Sequence, residues 1–268
     1  MYTEEGIPRH HVVDGVALTE FRPSTEPLRT PLVFVHGGLH GRWQWDSTQR
    51  WFAEAGRSSV ALDWFSHGDS RQLDASEWLT RSILDVREEI DTAVAQSASR
   101  PVLIGHSMGG LASLAYAATH PSQIAGLVLL APVAPEAFAG APVELPIDSN
   151  KPWPPPPLDV AAHLFFQGAP SAEHETIYAR LQPESPTAVW EATRWTALVN
   201  VDAITVPVLV ITGDSDELTP VDIVSSLARG IDAELVVLPG VSHGLSFDPS
   251  WNEQCARIHS WISRAVSE

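Results

Sequence analysis

A serine flanked by glycines stands where a predicted strand meets a predicted helix. In Gly105-His106-Ser107-Met108-Gly109, the apolar run Pro101–Gly105 leads to Ser107 and the helical pattern Met108–His120 follows it. A tight turn from strand to helix forces a serine into a strained conformation that exposes its hydroxyl, and glycines two residues away on each side leave room for the turn. We predict that Ser107 is a catalytic nucleophile.

A serine hydroxyl is a weak nucleophile, so Ser107 needs a neighbouring base. The chain has 11 histidines, and His243 is distinguished by its place late in the chain, in a loop after the last predicted strand, Glu234–Leu238. Glycines flank it in Gly240-Val241-Ser242-His243-Gly244. We predict that His243 takes the proton of Ser107, and an acidic residue is then required to hold the imidazole in the right tautomer.

Three acidic residues compete for the role of that acid. Asp214, Asp216 and Glu217 follow the apolar run Pro207–Gly213 and precede Pro220. Each of them is also a good turn residue or N-cap for the helix predicted after Pro220. The residues alone leave this choice open.

Backbone N–H groups are the expected partners for the negative charge that develops when a serine attacks a carbonyl carbon. The predicted strand Pro31–His36 leads into the glycine-rich sequence Gly37-Gly38-Leu39. The helix after Ser107 also directs free N–H groups towards the serine. We predict that Gly38 and Met108 are the two oxyanion donors.

These residues follow predicted strands, which alternate with helical patterns. Short, continuous apolar runs are typical of strands buried on both faces of a parallel sheet. The predicted strands are Val16–Phe21, Pro31–His36, Ser58–Asp63, Pro101–Gly105, Ile124–Ala131, Pro207–Gly213 and Glu234–Leu238. The predicted helices are Asp46–Ala55, Ser76–Gln96, Met108–His120, Val221–Arg229 and Pro249–Val266. This alternation predicts a doubly wound, mostly parallel α/β sheet.

One proline-rich stretch interrupts the alternation. It runs from Pro132 to Pro154-Pro155-Pro156-Pro157, and because proline removes backbone donors and fixes φ, it belongs neither to a sheet interior nor to a long helix. Helical patterns follow at 158–167, 172–181 and 185–198 before the strands resume at Pro207. We predict a helical cap at residues 133–200, inserted into a core formed by residues 1–132 and 201–268. The alternative is a long surface loop without function.

Aromatic side chains in the inserted segment need something to pack on or to bind. We expect some of them to contact a substrate, together with residues beside the predicted oxyanion donors and nucleophile. The predicted substrate-binding residues are Gly37, Leu39, His106, Trp153, Phe165, Trp190 and Trp195.

These motifs resemble the α/β-hydrolase superfamily, in its serine-nucleophile, esterase-like branch, over essentially the whole chain. Residues 36–38 resemble its oxyanion loop, 105–109 its nucleophile elbow, and 63–70 its D-x-x-G-H-G-x-S turn, with Ser66 in place of the usual glycine. Residues 213–220 resemble its G-x-x-D-x-x-x-P acid loop, and this register assigns the acid to Asp216 rather than Asp214. The order Ser, Asp, His along the chain also matches. Residues 36–45 are locally similar to the H-G-x-x-x-G-x-W-x-W pattern of plant methylesterases and their hydroxynitrile-lyase relatives.

The resemblance implies acyl transfer that needs no cofactor and no metal. Haloalkane dehalogenases and epoxide hydrolases of the superfamily carry an aspartate at the elbow, so Ser107 argues against those activities. Hydrolysis of an ester, lactone, thioester or amide and perhydrolysis all stay open, on an uncharged or apolar small molecule. The alternatives are a non-hydrolytic, hydroxynitrile-lyase-like enzyme and a hydrolase-fold ligand receptor. Residues 158–200 contain no lysine to stabilise a leaving cyanide, which lowers the lyase alternative.

The charge of the chain argues against several other partners. The formal net charge is −17, from 33 acidic and 16 basic residues, and no basic run is present that could neutralise nucleic-acid phosphates or bind anionic lipid. No apolar run approaches the about 20 residues that span a bilayer, and residues 1–11 are too polar for a secretory signal. The single cysteine, Cys255, allows no intrachain disulfide. We expect a soluble, cytoplasmic protein.

Overall fold

Eight strands form one sheet within residues 8–266, the part of the chain that the computed structural model describes. The strands are β1 (Arg9–Val13), β2 (Val16–Phe21), β3 (Leu32–Val35), β4 (Ser59–Leu62), β5 (Val102–His106), β6 (Gly126–Leu130), β7 (Val208–Gly213) and β8 (Glu234–Leu238). They lie in the order β1-β2-β4-β3-β5-β6-β7-β8. Strand β2 runs antiparallel to both β1 and β4, and every other neighbouring pair is parallel. The predicted mostly parallel sheet is confirmed.

Helices cover both faces of this sheet. They are α1 (Asp46–Glu54), α2 (Ala75–Thr80), α3 (Arg87–Ala95), α4 (Met108–Thr119), α5 (Leu158–Phe165), α6 (His174–Tyr178), α7 (Pro186–Arg194), α8 (Val221–Gly230) and α9 (Trp251–Ala265). Helices α3, α4 and α8 bury apolar residues in a core on one face, and α1 and α9 do so on the other. In β3, Val33 and Val35 face the first core and Leu32 and Phe34 the second, because successive side chains of a strand point to opposite faces.

The seven predicted strands are all present, and β2 and β8 have the predicted bounds. The sequence pattern does not predict β1. Within residues 8–266 this edge strand pairs only with β2, and polar residues such as Arg9 and His10 are exposed on it. A continuous apolar run marks a strand that is buried on both faces, and β1 is not buried in that way.

The helix predicted at Ser76–Gln96 is wrong as a single element. The structure has α2, then a 3₁₀ turn at Ile83–Val86, then α3. The hydroxyl of Ser82 accepts a hydrogen bond from the N–H of Leu84 at 3.0 Å, and the N–H of Ser82 donates to the Asp85 carboxylate at 2.9 Å. This reciprocal cap satisfies the free donors of a helix start. The chain therefore begins a new helix where periodicity alone would continue the old one.

Between β6 and β7 the chain leaves the sheet. Residues 131–207, which we call the β6–β7 segment, carry α5, α6 and α7. Helices α5 and α6 bury apolar side chains in a third, smaller core that includes Leu39 from the loop after β3. Within the segment, Trp153 and Glu184 form an antiparallel bridge, with backbone hydrogen bonds of 2.8 and 2.9 Å. The bounds 133–200 for a cap stay a prediction.

Among the helices within residues 8–266, none is long and apolar enough to cross a membrane. Cys255 of α9 is buried in the second core. The prediction that no secretory signal is present concerns residues 1–11, of which 1–7 lie outside the described residues.

Candidate active site

Four loops at one edge of the sheet carry the predicted catalytic residues. Gly38 follows β3, Ser107 follows β5, Asp216 follows β7 and His243 follows β8. These strands are parallel, so their carboxyl ends lie at the same edge, which is where open α/β sheets bind their ligands.

Three side chains at this edge form a continuous chain of hydrogen bonds. The hydroxyl of Ser107 lies 2.8 Å from Nε2 of His243, and Nδ1 of His243 lies 2.8 Å from Oδ2 of Asp216. Both His243 and Asp216 are buried. The imidazole is therefore placed to accept the serine proton on one nitrogen while the carboxylate accepts a hydrogen bond from the other.

The turn that carries Ser107 is strained, as the sequence predicts. Ser107 has φ 55° and ψ −121°, a backbone conformation that residues other than glycine rarely adopt. Its N–H donates to the carbonyl of Leu130 at 2.9 Å, which ties the turn to β6. A Cβ on Gly105 would collide with the carbonyl oxygen of Gly109, and a Cβ on Gly109 would collide with that of His36. Both glycines are required because the turn packs against its own helix and the loop after β3.

The structure places Asp216, and neither of its two rivals, beside His243. Asp214 is exposed and accepts a hydrogen bond from the N–H of Gly240 at 2.7 Å. Glu217 is exposed and pairs with His163 of α5. Of these three acidic residues, Asp216, which the family register also selects, is the one that lies within hydrogen-bond distance of His243.

Asp216 is held as a carboxylate. It accepts hydrogen bonds from the N–H of Leu218 at 2.8 Å, the N–H of Thr219 at 2.9 Å and the Thr219 hydroxyl at 2.7 Å. Burial alone would raise the pKa of Asp216, but His243 and the Thr219 donors hold it below its ordinary value of 3.8. The charge that must stabilise an imidazolium is thus present at neutral pH.

The loop after β3 is fixed by two histidine rings. Nδ1 of His36 donates to the carbonyl of Gly37 and Nδ1 of His40 to that of Gly38, both at 2.8 Å. Burial lowers the pKa of His36 well below its ordinary value and that of His40 to about 4, so both rings are neutral. A side chain on Gly38 would collide with the sulfur of Met108. The backbone of the loop therefore approaches the turn that carries Ser107 closely.

A mainly apolar cavity lies beside Ser107. Five of the predicted substrate-binding residues line it with Gly38 and Met108, namely Gly37, Leu39, His106, Trp153 and Phe165. Residues that the sequence reasoning did not identify complete the apolar wall, namely Val133, Val143, Leu145, Leu164, Val189 and Leu218. Aliphatic residues at these positions carry no signal that separates a cavity wall from an ordinary core.

The structure does not bring Trp190 and Trp195 to this cavity. Helix α7 presents Val189 and Thr193 to the cavity, four residues apart on one face. Trp190 lies off that face and is half exposed, with the Arg194 guanidinium 4.9 Å from its ring centroid. Trp195 is buried in the first core and its indole N–H donates to the carbonyl of Ala141 at 3.1 Å. Residue type alone did not tell which way these rings point.

Comparison with known proteins gives the family. The model of the Alpha/beta hydrolase family matches residues 32–258. The chain belongs to this family. The monoacylglycerol lipase of Mycolicibacterium smegmatis (strain ATCC 700084 / mc(2)155) is 26% identical over 267 residues, 90% of each chain. Methylesterase 7 of Arabidopsis thaliana is 30% identical over 105 residues, 39% of this chain and 40% of that protein. The solved structure of a thermophilic esterase has a TM-score of 0.71 at 19% identity and covers 97% of this chain and 98% of that chain.

The turn after β4 departs from the pattern of the α/β-hydrolase family at Ser66. This residue has φ 65°, in the left-handed region that favours glycine. Its hydroxyl accepts a hydrogen bond from the N–H of Leu73 at 3.0 Å. A glycine could not make that bond, so the bond offsets part of the backbone strain.

The next residue, His67, forms a buried ion pair with Glu184 of the β6–β7 segment. Nε2 of His67 lies 3.2 Å from Oε2 of Glu184, and the side chains are 1% and 3% exposed. Glu184 also accepts hydrogen bonds from the N–H groups of Leu39 at 3.2 Å and Ser185 at 2.9 Å. Burial alone would raise the pKa of Glu184 and lower that of His67, but each partner reverses the shift on the other. Sequence reasoning missed Glu184 because it stands in no chemical motif.

Replacing Glu184 with glutamine is expected to lower the free energy of unfolding by about 3 kcal/mol at about pH 5.5, because the change leaves a buried His67 cation without its partner. The pKa of His67 is raised above 6.5, so its contribution is present below that pH and is lost as pH rises through the raised value. The pKa of Glu184 is lowered below 4.5, so its contribution is present above that pH and is lost on further acidification. Urea titrations across pH should show the largest difference from wild type between these values.

The control is an exposed pair on the same molecule. Glu234→Gln removes the partner of Arg264, whose side chain is half exposed like that of Glu234. That change should cost less than about 1 kcal/mol at every pH, because water screens the pair. Equal losses for the two variants would contradict the buried-pair interpretation.

Proposed function

We propose that the protein is a serine hydrolase that cleaves a carboxylic ester, lactone or thioester of an uncharged or apolar small molecule through an acyl-enzyme. The observation that carries the proposal is the hydrogen-bonded chain from Ser107 through His243 to Asp216, on a strained turn that exposes the serine to a cavity. The names of the relatives, which include a lipase and a methylesterase, support ester hydrolysis.

In the proposed reaction, Oγ of Ser107 attacks the carbonyl carbon while Nε2 of His243 takes its proton. The carbonyl oxygen becomes an oxyanion, for which the N–H groups of Gly38 and Met108 are the donors. Collapse of this intermediate breaks the bond to the leaving oxygen or sulfur, which takes the proton from His243. A water then attacks the acyl group with His243 again as base, and releases the acid and Ser107. Asp216 keeps its charge throughout and stabilises the imidazolium.

The residues of the cavity wall support the proposal that the acyl group of the substrate is uncharged. None of the residues that line the cavity within the described chain is lysine or arginine, so a carboxylate on the substrate would lose its hydration without gaining a cation. The one acidic residue among the described lining residues, Glu184, is paired with His67. Trp153, Phe165 and Val189 belong to the β6–β7 segment and also line the cavity. We therefore propose that residues 133–200 act as a cap that selects the substrate.

The test is a comparison of activated esters. p-Nitrophenyl butyrate should give a burst of p-nitrophenol that matches the enzyme concentration, and a fluorophosphonate probe should label the protein. p-Nitrophenyl hemisuccinate, which has the same chain length with a carboxylate at its end, should react at least about tenfold more slowly in kcat/KM. The values of kcat/KM for p-nitrophenyl butyrate, a γ-lactone and an acyl thioester of matched length then rank the ester, lactone and thioester as substrates. Absence of both burst and labelling would refute the hydrolase, and equal rates for butyrate and hemisuccinate would refute the uncharged pocket.

A further inference from the structure

Gln44 joins loops that carry different parts of the proposed machinery. It lies in a 3₁₀ turn at Arg42–Trp45 and is 3% exposed. Its Oε1 accepts a hydrogen bond from the N–H of Gly37, the neighbour of the proposed oxyanion donor, at 3.3 Å. Its Nε2 donates to Nδ1 of His106 at 3.0 Å and to the hydroxyl of Ser246 at 3.2 Å. One amide therefore contacts the loop after β3, the nucleophile turn and the loop of the proposed base.

His106 extends this network to His243. Burial lowers the pKa of His106 well below its ordinary value, and the nearby His243 lowers it further, so the ring is neutral. A neutral imidazole has one donor and one acceptor nitrogen. Since Nδ1 accepts from Gln44, Nε2 carries the proton and donates to the carbonyl of His243 at 3.0 Å. The amide of Gln44 and the carbonyl of His243 thus favour the same tautomer, in which His106 holds the backbone of the proposed base.

We infer that Gln44 is a positioning residue that sets the distance between the oxyanion loop, Ser107 and His243. This inference rests on the proposed function. Ser107 and His243 meet at 2.8 Å although they follow different strands, and Gln44 bonds His106, the neighbour of Ser107, and Ser246, three residues after His243. A misplacement of about 1 Å in such an arrangement costs about 10²-fold in rate.

The amide cannot be replaced by an apolar group of the same length without loss. Methionine at this position would fill the space but would leave the N–H of Gly37 and Nδ1 of His106 buried without partners. His106 would then lose one of the two partners that hold its ring, and its bond to the carbonyl of His243 would be less firmly oriented. The expected damage is to geometry at the reacting atoms rather than to the walls of the cavity.

The test compares Gln44→Met with Gln49→Met, a matched control. Gln49 is also a fully buried amide, and its Nε2 donates to the carbonyl of Thr19 and the hydroxyl of Ser59. With p-nitrophenyl butyrate, Gln44→Met should lower kcat by about 10²-fold and leave KM within about threefold of wild type. The rate of fluorophosphonate labelling should fall in parallel. Gln49→Met should lower the unfolding midpoint but leave kcat and labelling unchanged.

Gln44→Glu adds a readout that a merely structural role would not give. The introduced carboxyl keeps an acceptor for the N–H of Gly37, and its other oxygen faces Nδ1 of His106. The ring can bond this oxygen and the carbonyl of His243 together only while the carboxyl–imidazole pair holds one proton beyond the ring's own, so one of the two bonds is lost when that proton leaves. The ratio of its kcat to that of wild type should therefore fall as pH rises, whereas the ratio for Gln44→Met should be low at every pH. If Gln44→Met fails to fold, this pH dependence carries the test.

Two results would overturn the inference, and they are distinguishable. If wild type labels with the fluorophosphonate and Gln44→Met labels equally fast with unchanged kcat, Gln44 does not position the site, while the hydrolase stands. If wild type does not label and shows no burst, the proposed function fails and the positioning role fails with it.

Discussion

Replacing Ser107 with alanine is expected to lower kcat for p-nitrophenyl butyrate by about 10⁴-fold or more and to abolish labelling by a fluorophosphonate. The change removes the only hydroxyl that lies 2.8 Å from Nε2 of His243 among the described residues, so no acyl-enzyme can form. Residual turnover should be non-covalent and should show no burst, because the oxyanion donors and the cavity stay intact. Stopped-flow measurement of p-nitrophenol release checks both rate and burst.

Ser113→Ala is the matched control for that experiment. Ser113 is a buried serine in α4, the helix that follows Ser107, and its hydroxyl donates to the carbonyl of Gly109 at 2.7 Å. The same atom is deleted, but at a position that does not line the cavity. This variant should keep kcat and the burst within about threefold of wild type. Wild-type turnover in Ser107→Ala would show that the hydroxyl is not the nucleophile.

The central strands could be predicted because each is buried on both faces. Continuous apolar runs such as β3 and β7 leave little choice of element, and parallel strands bring their carboxyl ends to one edge. That rule alone places Ser107 and His243 at the same edge of the sheet although much of the chain separates them. It does not give the distance of 2.8 Å, which depends on the conformation of the loop after β8.

The acid could not be chosen from residue type, because Asp214 and Asp216 are two positions apart and both suit a turn. The two carboxylates differ in the hydrogen-bond donors that each of them contacts. Asp214 turns outward to the N–H of Gly240, whereas Asp216 turns inward to the donors of Thr219 and to His243. The family register anticipated this outcome, and the loop geometry supplies its physical reason.

The least predictable part of the site comes from side chains that act across the fold. Glu184 reaches from the β6–β7 segment to Leu39 and His67, and Gln44 reaches from a short 3₁₀ turn to His106. Neither residue type is distinctive, and neither position follows a strand. Such contacts depend on which distant parts of the chain the fold packs together, which a local pattern does not encode. The contacts of Glu184 connect the proposed cap to the loop that holds Gly38.

Replacing Asp216 with asparagine is expected to lower kcat by about 10⁴-fold at neutral pH while the protein stays folded. The amide has nearly the shape of the carboxylate, but it cannot stabilise an imidazolium, and it favours the wrong tautomer of His243 when its NH₂ group faces Nδ1. The loss should appear in kcat more than in KM because Asp216 does not line the cavity. Initial rates over a range of p-nitrophenyl butyrate concentrations give kcat and KM separately.

Asp214→Asn provides the internal comparison, since it makes the same change two residues away. Asp214 is exposed and holds only the loop around Gly240, so its variant should keep kcat within about threefold. The pH profile of wild type gives a second check. Because the pKa of Asp216 is held below 3.8, this carboxylate takes up no proton at about pH 5 and above, so the acid limb of kcat/KM there should have a slope of one proton rather than two. A larger loss in Asp214→Asn than in Asp216→Asn would reverse the assignment, because the orienting acid must be the carboxylate whose removal leaves the imidazole uncompensated.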